Sequence, residues 1–192
     1  ALLTAMDRPL GRTAGNAIEV VESIEALRGE GASDLMEVTM ALGAEMLLVA
    51  GKATSRADAL RTLEAAIASG AALERFREVI RWQGGDPAVV DDPSRLARAP
   101  IVRQLTASQG SPMPALAPRI LGEAIVAMGG GRRLATDPVD PAVGLEFLCQ
   151  AGQSLAVGDP FAVVHARTEA DADLAERAVR GAFAQALASG EA

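Results

Sequence analysis

Apolar residues recur with a helical period from position 16 to position 82, and the stretch predicts four consecutive helices, each with its own start and stop signals. The first runs from Asn16, a good N-cap, through Ile18, Val21, Ile24 and Leu27 to Gly29, where a left-handed C-cap costs no Cβ clash. The second is expected to start at Asp34, with Glu37 closing a capping box, to bury Leu35, Val38, Leu42, Met46 and Val49, and to end at Gly51. Ser55 and Asp58 repeat the capping arrangement for a third helix, whose Leu60, Leu63 and Ile67 share a face before Gly70. A fourth carries Leu73, Phe76 and Ile80 and ends at Gly84 and Gly85.

The texture then changes. GGDPAVVDDPSRLARAP, residues 84–100, concentrates glycines, prolines and acidic residues, a composition that resists regular structure and predicts a domain boundary. Beyond Pro100 the periods mix: a β-like run IVRQLT, a turn at Gln109 to Ser111, and a helix from about Pro118 that buries Ile120, Leu121, Ile125 and Met128 before the glycine triplet 129–131. AVGLEFLC and FAVVHAR read as strands around the turn-rich AGQSLAVGDP. A final helix starts at Thr168, capped with Asp171, and carries Leu174, Ala178, Phe183 and Leu187. Ahead of all this, residues 1–5 read as a strand and MDRPLGRTAGN as the loop after it. A chain that opens inside a strand leads us to expect a truncated piece of a longer protein.

Composition narrows the partners. The length of 192 residues allows one large domain or two small ones, and the mixed periods favour two. A hydrophobic share of 49% against 22% charged predicts a well-buried core. A net charge of −7 offers no basic face for a phosphate backbone, and one Trp, four Phe and no Tyr offer no stacking platform, so nucleic acid is not expected. Cys149 is the single cysteine, which excludes an intrachain disulfide and fits a reducing cytoplasm. No apolar run is long enough to span a bilayer, so a cytoplasmic protein without membrane partners is expected.

Few side chains invite chemistry. His165, the only histidine, alternates with Phe161 and Val163 in a predicted strand, and a structural hydrogen-bonding role outweighs acid–base work. Cys149 closes an apolar strand with no cation nearby in sequence, so it reads as a small buried hydrophobe. The Gly129 to Arg133 run, GGGRR, has the composition of a phosphate cradle, but these glycines close a helix instead of opening one, where the dipole repels anions. The strand pair around AGQSLAVGDP resembles half of a lipoyl or biotinyl carrier, yet the only lysine, Lys52, lies far upstream. The loop at 6–16 is the best site candidate by position, since ligands of open α/β sheets gather beyond strand ends; its plain reading is an ordinary connection.

Five blocks carry a resemblance: PLGRTAGNAIEVVESIEALRGEG at 9–31, VTMALGAEMLLVAGKA at 38–53, ALERFREVIRWQGGDPAVVDDP at 72–93, VAMGGGRR at 126–133 and VGDPFAVVHAR at 157–167. In this order they resemble the C-terminal part of thymidine phosphorylases and the similar pyrimidine nucleoside phosphorylases. The resemblance implies the helical end of an α/β catalytic domain over residues 1–84, a linker over 85–100, and a small α+β, hammerhead-like C-terminal domain over 101–192. It implies a transferase of pyrimidine metabolism and nucleoside salvage that splits thymidine with inorganic phosphate into thymine and 2-deoxyribose 1-phosphate, with phosphate as nucleophile and co-substrate and no organic cofactor.

In that family the phosphate loop and the base-gripping side chains precede the matched region, so the resemblance assigns no catalytic and no substrate-binding residue here, and the segment alone is expected to be inactive. It does imply a partial potassium shell: carbonyl oxygens of Leu10 and Thr13 and the carboxylate of Glu22, oxygen donors suited to a hard cation. The complete enzyme is implied to be a homodimer, through a region outside this chain. The rival reading is a non-catalytic, phosphorylase-like binding or scaffold module; strict thymidine preference and broader uridine use are both left open.

Overall fold

The computed structural model describes residues 1–189, so the last three positions of the 101–192 stretch lie outside the described residues. It combines a helical part with a small α+β part. The elements in chain order are β1 (Thr13–Gly15), α1 (Ala17–Leu27), α2 (Ser33–Val49), α3 (Arg56–Ala68), α4 (Ala71–Trp82), two 3-10 turns (Pro87–Val90 and Pro93–Arg95), β2 (Ile101–Thr106), β3 (Ser111–Pro112), α5 (Pro118–Ala127), β4 (Gly144–Phe147), β5 (Ser154–Leu155), β6 (Pro160–Ala166) and α6 (Glu169–Ser189). Contacts divide the chain into two units, Ala1–Thr4 with Val21–Arg95 and Ala5–Val20 with Leu96–Ala192; the division falls within α1.

The first unit is helical. At the end of α1, Gly29 adopts a positive φ while its N–H reaches the Ala26 carbonyl and the Glu30 N–H the Glu25 carbonyl, and the same paired bonds close α2 at Gly51 and α4 at Gly84. Ser55 caps α3, its hydroxyl accepting from the Asp58 N–H at 3.2 Å, as the sequence predicts. The capping box expected at Asp34 does not form. The helix α2 begins one residue earlier with Ala32 at the N-cap, and Asp34 instead accepts from the Leu35 N–H at 2.9 Å. The predicted buried face of α2 also fails: Leu42, Met46 and Val49 are 46%, 71% and 89% exposed, whereas Ala44 is fully buried and Gly43 faces Leu63 of α3. The small residues let α2 approach α3, so a different face of the helix became the contact.

Residues 1–5, expected as a strand, are exposed and have no ladder partner among the described residues. The proline-rich stretch after α4 is more ordered than its composition predicts. Asp86 accepts from the Ala88 N–H at 3.0 Å and Pro87 opens the turn that buries Val89 and Val90, while Arg77 holds Asp91 by two bonds of 2.7 Å and Arg28 donates to the Val90 carbonyl at 2.7 Å.

The second unit is built on an antiparallel sheet of order β1-β4-β6-β2, with β3 and β5 forming a separate two-stranded ribbon. One face of the sheet presents Leu105, Leu145, Phe147, Ala162 and Val164 to a core shared with α5 and α6. The buried face of α6 is Ala172, Ala175, Val179, Ala182 and Ala186, not the predicted Leu174, Ala178 and Leu187. Alanines let the helix lie close to the strands, and Phe183 packs beside this stripe on Phe161 with ring centroids 5.1 Å apart. Thr168 caps α6 through the Asp171 N–H at 3.1 Å, as predicted.

Where β1 meets β4, Gly15 pairs with Gly144. A Cβ on Gly144 would lie 2.6 Å from Ile18 Cδ1 and 2.8 Å from the Ala14 carbonyl, whereas one on Gly122 in α5 would meet nothing within 4 Å. Gly144→Ala is therefore expected to destabilise the protein by about 2 kcal/mol and Gly122→Ala to stabilise it by about 0.5 kcal/mol in urea unfolding. Equal effects would refute the close approach.

Candidate functional site

The residues with predicted roles fall in both units, and each is described within its own. Leu10 lies in the bend before β1, next to Gly11 with its φ of 74°, and is exposed. Thr13 opens β1 opposite Glu146. The Phe147 N–H donates to the Arg12 carbonyl at 2.7 Å, and antiparallel pairing alternates, so the Thr13 carbonyl is turned away from β4, toward the open edge of the sheet. Glu22 sits mid-way along α1 at 7% exposure, the one buried charged residue among those described. A carboxylate held out of water is stable only with partners for its charge.

The glycine triplet is a helix stop. Gly129 has a φ of 91°, its N–H reaches the Val126 carbonyl at 3.1 Å, and the Gly130 N–H reaches the Ile125 carbonyl at 2.9 Å, a paired C-cap that uses the amides a phosphate would need. A Cβ on Gly130 would come within 2.7 Å of Ile125 and 2.9 Å of Val143, so glycine is required for packing as well as for the turn. The carbonyls are also engaged: Asn16 Nδ2 donates to Gly130 at 2.8 Å and the Asp140 N–H to Gly129 at 2.8 Å. Arg132 and Arg133 are exposed.

His165 stands on β6 between Val102 of β2 and Gly144 of β4, on the sheet face away from the α5 and α6 core. Its Nε2 is 3.6 Å from Glu146 Oε2, ion-pair distance and not a made hydrogen bond, and it is buried without a hydrogen-bond partner. The His165 ring beside Glu146 holds that carboxyl below the usual carboxylate range, with Arg12 adding its charge. The expected structural hydrogen bond of His165 is thus an ion-pair contact. Burial pushes the Cys149 thiol up, Asp159 adds to the effect, and the thiol donates weakly to the Phe161 carbonyl at 3.8 Å; this is an inert cysteine, as the sequence predicts.

In the helical unit, a cavity of about 420 Å³ is lined by Arg28, Met36, Met40, Glu64 and Ile67 among others and contains none of the predicted ligands. Two polar ties escaped the sequence reading. One is the Asn16 bond to Gly130, across 114 positions; the other is Arg167, which grips Asp140 at 2.6 and 2.9 Å. Asp140 also accepts from the Ala142 N–H at 3.0 Å, and no local spacing announces either partnership. No cluster of three or more His, Cys, Asp or Glu side chains able to hold a metal occurs among the described residues. A site built largely from carbonyl oxygens, like the one implied for potassium, lies outside that class.

Arg167, followed by burial acting the other way and by the Ala142 N–H, leaves Asp140 with a carboxyl below its ordinary value. A carboxyl lowered in the folded state stabilises the fold above its unfolded pKa of about 3.9, and that contribution is lost as pH falls through the folded value. Asp140→Asn is expected to cost about 1 kcal/mol at pH 7 and almost nothing below about pH 2.5. Urea midpoints at the two pH values test this, and a pH-independent loss would refute it.

Two family models match the chain: residues 1–73 fit the glycosyl transferase family a/b domain, and residues 113–186 the pyrimidine nucleoside phosphorylase C-terminal domain. A thymidine phosphorylase of Burkholderia cenocepacia is 42% identical over 185 residues, 95% of this chain and 42% of that protein. Pyrimidine-nucleoside phosphorylases of Bacillus subtilis and Staphylococcus aureus are 36% identical over 169 residues, 88% of this chain and 39% of theirs. The chain thus spans about two fifths of the length of the curated relatives it matches.

Proposed function

Because the chain belongs to the thymidine and pyrimidine nucleoside phosphorylase family, we propose that it is the C-terminal segment of an enzyme that splits thymidine, or a related pyrimidine nucleoside, with inorganic phosphate. The products are the free base and 2-deoxyribose 1-phosphate. The observation that carries this reading is relatedness along 95% of the chain to proteins named for the reaction. In it phosphate is the nucleophile, so the enzyme's work is to hold two substrates together and to stabilise the charge on the departing base and on the sugar.

The segment contributes support and no catalytic side chain. The one histidine contacts a carboxylate, the cysteine is unreactive, and the amides of the glycine triplet are engaged in capping α5. The complete enzyme is cytoplasmic and a homodimer in this reading; among the described residues no helix is long and apolar enough to cross a membrane. A phosphorylase-like scaffold is the rival, and a fully active chimera would exclude it.

Potassium fits as an inorganic partner through Leu10, Thr13 and Glu22. What supports this is chemistry within each unit: a buried carboxylate at Glu22 and an outward-turned carbonyl at Thr13 are the oxygen donors a hard cation selects. When bound, the ion would supply fixed positive charge that ties these oxygens to donors from the remainder of the enzyme.

Thymidine and phosphate incubated with this chain alone are expected to yield no thymine, while a chimera carrying the chain in place of the matched 185 residues of the Burkholderia cenocepacia enzyme is expected to release it in a phosphate-dependent manner. Turnover by the isolated chain sinks the support reading, and an inactive, folded chimera sinks the enzymatic one. In the chimera, Glu22→Gln is expected to weaken potassium binding by about tenfold or more, read as loss of the extra thermal stabilisation by KCl over NaCl. An unchanged difference between the two salts removes Glu22 from the shell.

A further inference from the structure

The helix α2 is apolar on two sides. Met36 and Met40 line the cavity with Ile67, and Gly43 and Ala44 lie against α3, which together make one packed face. Leu42, Met46 and Val49 recur at i, i+4 and i+7, roughly 120° around the helix from that face. They form a stripe exposed by 46%, 71% and 89%. Asp34, Glu37 and Glu45 fill the remaining arc. A single-layer surface helix keeps one apolar stripe; a second marks a helix that lies between two layers.

We propose that this second face of α2 docks on a β-sheet supplied by polypeptide equivalent to the part of the relatives outside the match. Two observations choose this occupant. Residues 1–73 fit a domain of mixed helix and sheet, yet the described helical unit has helices and 3-10 turns as its only regular elements, and the one strand within 1–73, β1, pairs with β4. The match also leaves more than half of the Burkholderia cenocepacia protein outside it, enough chain to carry such a sheet. Sheet faces bury long aliphatic side chains from one helix stripe, and the flanking Asp34, Glu37 and Glu45 confine the contact to that stripe. The identity of the partner rests on the family reading above; the existence of the docking face rests on the exposed stripe.

The test compares Met46→Glu and Leu42→Lys in the isolated chain and in the chimera, with Glu37→Lys as control. In the isolated chain all three variants are expected to keep the melting temperature, because the side chains changed are exposed. In the chimera, Met46→Glu and Leu42→Lys are expected to lower it by about 3 °C or more while Glu37→Lys does not. Hydrogen exchange of residues 42–49 is expected to slow by about 100-fold on going from the isolated chain to the chimera. Indifference of the chimera to both substitutions, unchanged exchange, or a chimera that does not fold overturns the proposal. So does a dimer of the isolated chain that Met46→Glu dissociates, which would make a second copy the occupant, or binding to phosphatidylglycerol vesicles that Met46→Glu abolishes. A chimera with protected α2 but no thymine release sinks the enzymatic reading alone, and an active chimera that tolerates both substitutions sinks the docking face alone.

Discussion

The close approach of β1 to β4 is the constraint on which the α+β unit depends. Three residues, Thr13 to Gly15, complete a sheet whose other strands come from positions 101–166. The approach is possible because both members of the pair Gly15 and Gly144 lack a side chain, leaving Ile18 to fill the space over them. Asn16 then ties the start of α1 to the carbonyl of Gly130, and the Ala17 N–H reaches the Pro141 carbonyl at 2.9 Å. One short strand and two hydrogen bonds thus bring the loop that carries Leu10 and Thr13 into the α+β unit.

That arrangement gives the glycine triplet its meaning. It stops α5, receives Asn16 and Asp140 on its carbonyls, and packs between Ile125 and Val143 without a Cβ. Arg167 holds the same corner through Asp140, so a charged pair, a helix stop and a sheet edge converge within a few residues. The result is a rigid support for a cation-binding loop, which is the work the family reading leaves to this part of the chain.

The helical unit is organised by a different rule. The helices α2 and α3 meet through Gly43 and Ala44, and the turns after α4 are fastened by Arg77 and Arg28. The larger aliphatic side chains of α2 stay outside that contact, so the unit's strongest apolar stripe remains available to another layer.

Periodicity and caps made the helices legible: Gly29, Gly51, Gly84 and Gly129 each end one, and Ser55 and Thr168 each begin one, because these signals act within a few residues. The inert cysteine and the helix-closing role of the triplet were legible for the same reason. Which face of a helix is buried was not. Along α2 two apolar faces compete, and along α6 alanines outcompete larger residues, since the choice is made by how near a neighbouring element can come. The strand at Thr13, the Asn16 bond to Gly130 and the Arg167 grip on Asp140 join positions far apart in the chain, so only tertiary structure decided them.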